Sequence, residues 1–495
     1  MTTDGGGPGD LRGNVARSLG WVFAERWGSR LLQLLVFAVL TRLIAAENFG
    51  LISLATSIVA VLRVMVDAGF SKSLIQLKEL KPKDASTAFW TSMALAAVVY
   101  TALYFLAPVF AGWLGTPELT DVLRILGLTL PLSALSQTPA AILERTFDFK
   151  ILSVRQLIAA TAGALAAIPV ALLGFGVWAL VTQTLGVALV SVVVLWATTT
   201  WRPKFEFSLE SLRRIWPIGL SIMGTELLDA IQGNMDKLVI GAVFDAEILG
   251  YYYVAQRLGT ILMELVTTVI SRVSLTTFSR VQDDLPRLNR IFRQLTFAAG
   301  AIGVPVFALT AVLAPQIVPT VFGPGWEASI PILWGLAGGW ALAAVMYFDR
   351  TVLLARGKAK SAFWLSALQN VVGVVLIFAL LPLGIAGVVI SRWARVFVWP
   401  VRLWVLRRAV DLDVRRYLLQ IGRAVVAIVP AAVAIALLQL TGWAQGPWAP
   451  LTFAVPLGIL SLASYAALVW RVAGEENRAV LRPLVGGVIR RLRRR

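Results

Sequence analysis

Residues 178–199 read WALVTQTLGVALVSVVVLWATT, an apolar stretch that contains no charged residue. As an α-helix with a rise of about 1.5 Å per residue, it can cross the ~30 Å hydrocarbon core of a bilayer. The connection after it, residues 200–214, is rich in lysine and arginine, whereas the connection before it, residues 173–177, contains neither. Because basic residues remain on the cytoplasmic side, the stretch predicts a transmembrane helix that ends in the cytoplasm.

The composition of the whole chain extends this pattern. Of its 495 residues, 58% are hydrophobic and 15% are charged, and the mean hydropathy is +0.78. Soluble domains carry about 25% charged residues. The chain has no cysteine and no histidine, which excludes disulfides, thiolate nucleophiles, histidine-based catalysis and the usual zinc, haem and iron–sulfur sites. The composition therefore predicts an all-α integral membrane protein.

Apolar stretches of this kind recur along the chain, and at roughly 35 residues per span and loop its length allows about fourteen of them. The predicted spans lie near residues 19–43, 50–66, 85–108, 119–143, 156–172, 178–199, 215–242, 250–271, 294–317, 329–348, 362–379, 385–403, 424–439 and 451–470. Both tails and every even-numbered connection carry lysine or arginine, and no odd-numbered connection does. This alternation predicts fourteen transmembrane helices with both termini in the cytoplasm.

Short patterns also recur at a nearly constant separation along the chain. Ala46-Glu47-Asn48-Phe49-Gly50 matches Ala246-Glu247-Ile248-Leu249-Gly250, and Glu144-Arg145-Thr146 matches Asp349-Arg350-Thr351. The members of each pair lie six spans apart on the same side of the membrane, which predicts a parallel repeat of helices 1–6 and 7–12 followed by two extra helices. Two six-helix lobes around a central cavity are typical of transporters that work by alternating access.

The predicted domain organisation follows from the repeat. It comprises a disordered cytoplasmic tail (1–18), an N-lobe (19–199), a cytoplasmic linker (200–214), a C-lobe (215–408), the two additional helices (409–470) and a basic cytoplasmic tail (471–495).

Several basic residues fall inside the predicted spans, where a buried cation costs ~3 kcal/mol or more unless it is paired or faces water. We therefore predict a water-filled cationic cavity that binds an anion, and the candidate binding residues are Arg26, Arg30, Arg63, Lys237, Arg257, Arg392 and Arg395. The candidates for binding a coupling ion are Asp229, Asp236 and Glu264. In the alternative interpretation, these charges pair among themselves, for example Arg257 with Glu264. Arg402, at the end of the twelfth span, is counted with the cytoplasmic connection.

Enzyme signatures are absent from the sequence. The predicted outer loops are too short for a catalytic domain, and the first one lacks the paired carboxylates of a lipid-phosphate-sugar glycosyltransferase. The turn at Gly323-Pro324-Gly325-Trp326 has neither the spacing nor the Lys-Ser/Thr of a phosphate-binding loop. The basic loops suit anionic membrane lipids, and nothing beside them indicates nucleic-acid binding. A membrane glycosyltransferase or polymerase is thus the weakest alternative, and we predict a transporter.

In addition, a set of short motifs resembles the polysaccharide flippases of the Wzx/teichuronic-acid exporter type, over roughly residues 15–410. The motifs are Arg42-Leu43 with Glu47-Asn48-Phe49-Gly50-Leu51, Gly69-Phe70 with Leu74-Ile75-Gln76, Leu143-Glu144-Arg145 with Phe147-Asp148-Phe149-Lys150, Gly174-Phe175-Gly176-Val177-Trp178-Ala179-Leu180, Asp236-Lys237-Leu238-Val239-Ile240-Gly241 and Leu249-Gly250-Tyr251-Tyr252. The resemblance implies membership of the multidrug/oligosaccharidyl-lipid/polysaccharide exporter superfamily. It implies that a polyprenyl-pyrophosphate-linked oligosaccharide is flipped from the inner to the outer leaflet of a bacterial plasma membrane.

The resemblance also implies how such a flippase works. Related lipid II flippases use arginines of the first, second and eighth helices, which here correspond to Arg26 or Arg30, Arg63 and Arg257. We expect no cofactor, and transport driven by a proton gradient, a sodium gradient or the membrane potential. A polysaccharide polymerase and glycosyltransferases are the expected protein partners. Two alternatives remain within the superfamily, a lipid II flippase and a cation-coupled multidrug antiporter.

Overall fold

The computed structural model describes residues 28, 32–146, 148–270, 278–440 and 455–472. Every regular element in these ranges is a helix. Nine segments within them are long and apolar enough to cross a membrane. The predicted all-helical membrane fold is confirmed, whereas the count of fourteen spans stays a prediction, because the predicted first and last spans lie only partly within the described ranges.

The chain divides into two compact units, and the division falls after Gly250. The helices of the first unit, with α10 continuing into the second, are α1 (Leu32–Leu43), α2 (Ala46–Asp67), α3 (Phe70–Gln76), α4 (Pro82–Trp113), α5 (Leu119–Leu126), α6 (Thr129–Arg145), α7 (Phe149–Leu172), α8 (Val177–Thr198), α9 (Leu209–Val243) and α10 (Ala246–Ile270). The repeat assigns α9 to the second half of the sequence, but α9 packs against α2, α3 and α4 of the first. The predicted division into lobes stays a prediction.

The second unit continues from α10. Its further helices are α11 (Leu285–Val312), α12 (Ala314–Phe322), α13 (Ser329–Val345), α14 (Asp349–Ala355), α15 (Ala359–Leu380), α16 (Ile385–Ser391), α17 (Ala394–Val410), α18 (Val414–Leu440) and α19 (Val455–Val472). A buried apolar core connects α11, α13 and α18, and the rings of Phe292 and Tyr417 stack within it.

Within the described ranges, four of the predicted spans are interrupted helices. The span predicted at 119–143 consists of α5 and α6, and the one at 294–317 passes from α11 into α12. The span at 329–348 continues into α14, and the one at 385–403 consists of α16 and α17. Broken helices leave backbone groups without helical partners, and membranes tolerate them only where protein or water satisfies those groups. In transporters, such breaks accompany binding sites.

The repeated motif at residues 46–50 and 246–250 forms a reciprocal contact in the first unit. Gly50 of α2 lies against the backbone carbonyl of Ala246, and Gly250 of α10 lies against the backbone carbonyl of Ala46. A Cβ atom at either glycine would overlap the facing carbonyl group. The two copies of the motif thus contact each other, and the backbones approach as closely as only small residues allow.

A second contact joins two of the recognised motifs, the one that contains Asn48 and the one that contains Val177. The Oδ1 atom of Asn48 accepts a hydrogen bond of 2.9 Å from the backbone N–H of Val177, at the start of α8. Gly176, with φ of +56°, lies beside the Asn48 amide, where a Cβ atom would be too close. Asn48 therefore caps α8, because it satisfies one of the N–H groups that a helix start leaves unpaired.

Replacing Gly50 with alanine should lower the apparent Tm of the purified protein in mild detergent. Overpacking of this kind costs about 1–3 kcal/mol, and the facing carbonyl of Ala246 belongs to the backbone and cannot rotate away. Gly112→Ala is the matched control, since Gly112 is also helical but has no neighbouring atom within 4 Å of an added Cβ. A Tm of G50A equal to that of G112A would disprove the close contact.

Candidate functional site

The predicted charged residues of the first unit lie on α2 and α9. Arg63 of α2 is exposed and has no polar partner among the described residues. Lys237 of α9 is half-buried, and its Nζ donates to Asn234 Oδ1 at 3.3 Å. Asp236 is completely buried, whereas Asp229, two turns earlier on α9, is exposed. Arg63 is thus the cation here that remains available for an anion.

Two of the predicted residues, Arg26 and Arg30, lie outside the described residues. Their assignment to the binding site stays a prediction.

In the second unit, Arg257 and Glu264 lie two turns apart on α10 and both are half-buried. Glu264 has a polar partner, but Arg257 forms no hydrogen bond or ion pair with any described residue. The pairing of these two side chains, which was the alternative interpretation, is therefore not formed.

Arginines also form a stripe along one face of α17. Arg392 lies at the break between α16 and α17, Arg395 lies in the first turn of α17, and Arg402 follows two turns later. Arg395 is half-buried and has no hydrogen bond or ion pair within the described part of the chain. Arg402 donates to Asp349 Oδ2 at 3.4 Å and to Gln369 Oε1 at 2.9 Å. The structure therefore adds Arg402 to the predicted cations Arg392 and Arg395.

The sequence interpretation counted Arg402 with the cytoplasmic connection and did not consider Asp349 as a site residue. Asp349 is nonetheless buried, with 1% of the residue exposed. One signal could have revealed this pair. Asp349 is the acidic member of the repeated Asp-Arg-Thr pattern that matches Glu144-Arg145-Thr146.

Two further ion pairs in the first unit attach α9 to its neighbours. Lys72 of α3 pairs with Glu226 of α9, and Arg214 of α9 pairs with the completely buried Asp84 at the start of α4. From the sequence, the basic residues in these connections were expected only to set the orientation of the chain in the membrane. In the structure, Lys72 and Arg214 also fix α9 to α3 and α4.

Arg145, from one of the recognised motifs, contacts another of them. Its Nη1 donates to the backbone carbonyls of Leu74, Ile75 and Leu77 at 2.6–3.2 Å, and its Nη2 donates to that of Lys78 at 3.0 Å. These carbonyls lie at the end of α3, where a helix leaves acceptors unpaired. The Leu143-Glu144-Arg145 motif therefore has a structural role, which is to cap the helix that carries Leu74-Ile75-Gln76.

Replacing Arg145 with lysine should lower the apparent Tm, because an ammonium cannot reach several carbonyls as the planar guanidinium does. Loss of a hydrogen bond to a charged group costs about 1.5–3 kcal/mol. Arg213, near the start of α9, is exposed, so Arg213→Lys is the control and should leave the Tm unchanged. Equal melting of the two variants would refute the capping role.

An apolar groove of about 690 Å³ runs along α18 and reaches α19. Its lining residues are Arg415, Leu418, Leu419, Gly422, Arg423, Val426, Ala427, Pro430 and Leu468. Within the described residues, there is no group of three or more acidic side chains that could hold a metal ion. The groove could accept an acyl or prenyl chain, with the two arginines near its polar end.

The chain is similar in sequence to known proteins. The model of the family described as "Polysaccharide biosynthesis protein" matches residues 39–331. The succinoglycan biosynthesis transport protein ExoT of Rhizobium meliloti is 28% identical over 324 residues, and the match covers 65% of each protein. The chain thus matches slightly less than two thirds of that relative's length. The teichuronic acid biosynthesis protein TuaB of Bacillus subtilis is 25% identical, with 73% of this chain and 74% of TuaB covered.

Similarity extends to solved structures. The lipid II flippase MurJ in an inward-closed conformation superimposes with a TM-score of 0.74 at 15% sequence identity, and covers 91% of this chain and 99% of MurJ. An inward-facing multidrug transporter of the MATE family gives a TM-score of 0.60 at 18% identity, and covers 77% of this chain and 94% of that chain. At these identities the likeness establishes the transporter fold alone.

Proposed function

The chain belongs to the polysaccharide biosynthesis protein family, whose model matches more than half of its residues, and on this premise we propose that it flips a polyprenyl-pyrophosphate-linked oligosaccharide from the inner to the outer leaflet. The resemblance inferred from the motifs is confirmed by the family match. The prediction of a transport protein rather than an enzyme is confirmed, since the relative ExoT is named a transport protein. The substrate and mechanism given below are proposals.

The observation that carries the proposal is the set of arginines without a counter-charge. Arg63 lies in a helix long and apolar enough to cross a membrane, and Arg257 and Arg395 lie in spans predicted from the sequence. None of the three forms an ion pair within the described parts of the chain. Such cations are costly in a membrane unless they face water or bind an anion. A pyrophosphate suits them, because a guanidinium is always charged and donates two parallel hydrogen bonds to phosphate oxygens.

In alternating access, the two sequence repeats separate first on the cytoplasmic side of the membrane and then on the outer side, so that the substrate can cross. The contacts of α9 with α3 and α4 support this mechanism, since the Lys72–Glu226 and Arg214–Asp84 pairs can break and reform. The glycan and pyrophosphate cross through a cationic cavity, while the prenyl tail stays in lipid. The apolar groove on α18 is a surface on which such a tail can lie.

We further propose a membrane location and a driving force for transport. The protein lies in the bacterial inner membrane with both termini in the cytoplasm, and the positive-inside pattern supports this orientation. No cofactor takes part, and an ion gradient or the membrane potential drives transport. Anionic lipids contact the basic connections. A polysaccharide polymerase and glycosyltransferases remain the proposed protein partners.

The uncompensated arginines disfavour one alternative, the cation-coupled multidrug antiporter, because a cationic drug would be repelled by them. A lipid II flippase would use the same pyrophosphate chemistry and would differ in the headgroup that it accepts.

Mass spectrometry of the full chain purified in mild detergent should detect a co-purifying polyprenyl-pyrophosphate oligosaccharide. Arg63→Gln and Arg257→Gln should each reduce its occupancy roughly tenfold, since a charge-assisted hydrogen bond contributes about 1.5–3 kcal/mol. The control Arg213→Gln removes an exposed cytoplasmic arginine and should retain wild-type occupancy.

Three results of this experiment would count against the proposal. Co-purification of lipid II would favour the lipid II flippase. Bulk phospholipid alone, together with thermal protection by cationic dyes, would favour the antiporter. Equal occupancy in all three variants would remove Arg63 and Arg257 from the site.

A disulfide should stop the transport cycle reversibly. Because the chain has no cysteine, the double variant Lys72→Cys/Glu226→Cys can form only the disulfide between α3 and α9. Oxidation should abolish glycan export in intact cells or flipping in vesicles, and reduction should restore it, whereas each single variant should be insensitive to oxidant. Continued transport with the disulfide fully formed would show that α3 and α9 do not separate.

A further inference from the structure

A buried polar cluster surrounds Asp349 in the second unit, and the flipping mechanism proposed above gives it no role. Asp349 follows the break between α13 and α14, and α14 packs against α15 and α17. The carboxylate Oδ2 pairs with Arg402 of α17, whose other Nη donates to Gln369 of α15. The Oδ1 atom is buried and accepts no hydrogen bond from any described residue.

Two more buried polar groups belong to this cluster, the indole of Trp399 and the hydroxyl of Tyr417. Tyr417 lies beside both Asp349 and Trp399, and the indole N–H of Trp399 faces the Tyr417 hydroxyl. Asp349 Oδ1 therefore remains the acceptor of this cluster that has no hydrogen-bond partner among the described residues. Buried polar atoms are normally satisfied, and an unpaired carboxylate oxygen is a place where a proton can bind.

The Asp349–Arg402 pair lies next to further arginines of α17. Arg402 is within electrostatic reach of Arg395, which is in turn within reach of Arg392. Among the described residues, α18 contributes the phenol of Tyr417 to this cluster, and α15 contributes the neutral amide of Gln369.

Two other arginines belong to the same segment of chain but point elsewhere. Arg350 of α14 itself is exposed. Arg356, at the end of α14, donates to the backbone carbonyls of Gln282 and Ala409. Within the described part of the chain, Asp349 is thus the carboxylate that pairs with the arginine stripe of α17, through Arg402.

The pairing of Asp349 with Arg402 has a consequence for the protonation of Asp349. If Asp349 took up a proton alone, Arg402 would become a buried cation without a counter-ion, which costs several kcal/mol. If an anion arrived at α17 at the same time, its charge would replace that of the carboxylate. Proton uptake and anion binding should therefore favour each other, and by linkage the effect is reciprocal.

We propose that Asp349 is the residue at which proton uptake is coupled to anion binding on the arginine stripe of α17. The inference rests on the proposed function, because the anion is the pyrophosphate of the lipid-linked substrate. On binding, a proton passes from water to Oδ1 of Asp349, the carboxylate becomes a carboxylic acid, and Arg402 pairs with a phosphate oxygen. On release, the proton returns to water and the Asp349–Arg402 pair reforms. The earlier candidates Asp229, Asp236 and Glu264 are not part of this cluster.

The test measures protons taken up per bound molecule. Polyprenyl pyrophosphate is added to the purified full chain in weakly buffered detergent near neutral pH, and a pH-indicator dye reports proton uptake while binding is measured in parallel. Wild type should take up about one proton per bound molecule. Asp349→Asn should bind the lipid but take up none. The control Asp121→Asn removes a carboxylate whose side chain is 72% exposed and should behave as wild type.

A second variant separates coupling from a merely structural ion pair. Asp349→Asn leaves Arg402 buried and alone, and this variant can fail to fold. The double variant Asp349→Asn/Arg402→Gln keeps a neutral, hydrogen-bonding pair of similar shape and should fold. It lacks the phosphate contact of Arg402 but retains Arg63, Arg257 and Arg395, so it should bind the lipid more weakly. At saturating lipid, it should take up no proton. Wild-type uptake by either folded variant would disprove the role of Asp349.

The possible failures are distinguishable. If wild type binds no polyprenyl pyrophosphate, the proposed function fails and this inference fails with it. If wild type binds the lipid without proton uptake, the inference alone is wrong.

Discussion

The constraint on which the rest of the structure depends is the cost of a cation within the apolar part of a membrane. The chain meets it in two ways. Some cations are neutralised by a specific partner, such as Arg402 by Asp349. Others, such as Arg63 and Arg257, have no partner among the described residues. The first group holds helices together, whereas the second requires water or an anionic ligand.

This division also separates motif residues from site residues. Most of the recognised motifs pack against one another. Arg145 binds the carbonyls at the end of α3, Asn48 caps α8, and Gly241 of α9 lies directly against Leu54 of α2. Such contacts define the fold and are compatible with many substrates. The arginines that we assign to the substrate belong instead to positions without a shared local motif, so similarity in sequence reports the architecture more directly than the glycan.

Sequence alone predicted much of the fold, since hydropathy and loop charge report the bilayer, the same environment for every span. It could not predict the helix breaks after Val345 and Ser391, because no proline or glycine stands at either break. Among the candidate site residues, Arg392 and Arg395 were named because they lie deep in a predicted span, and their binding role stays a prediction. The Arg402–Asp349 pair could not be named, because it depends on how α14 packs against α17. Similarly, Lys72 and Arg214 lie in basic connections, whose charges look alike until their partners on α9 and α4 are known.

The reciprocal contact between residues 46–50 and 246–250 has a consequence for substitutions. In a two-fold symmetric dimer, residue i of one copy contacts residue j of the other, and residue j contacts residue i in return. The packing of Gly50 on Ala246 and of Gly250 on Ala46 has this form within a single chain. In a homodimer, however, one substitution changes both sides of such an interface at once. Here each glycine faces a separately encoded alanine, so each half of the contact can be altered independently of the other.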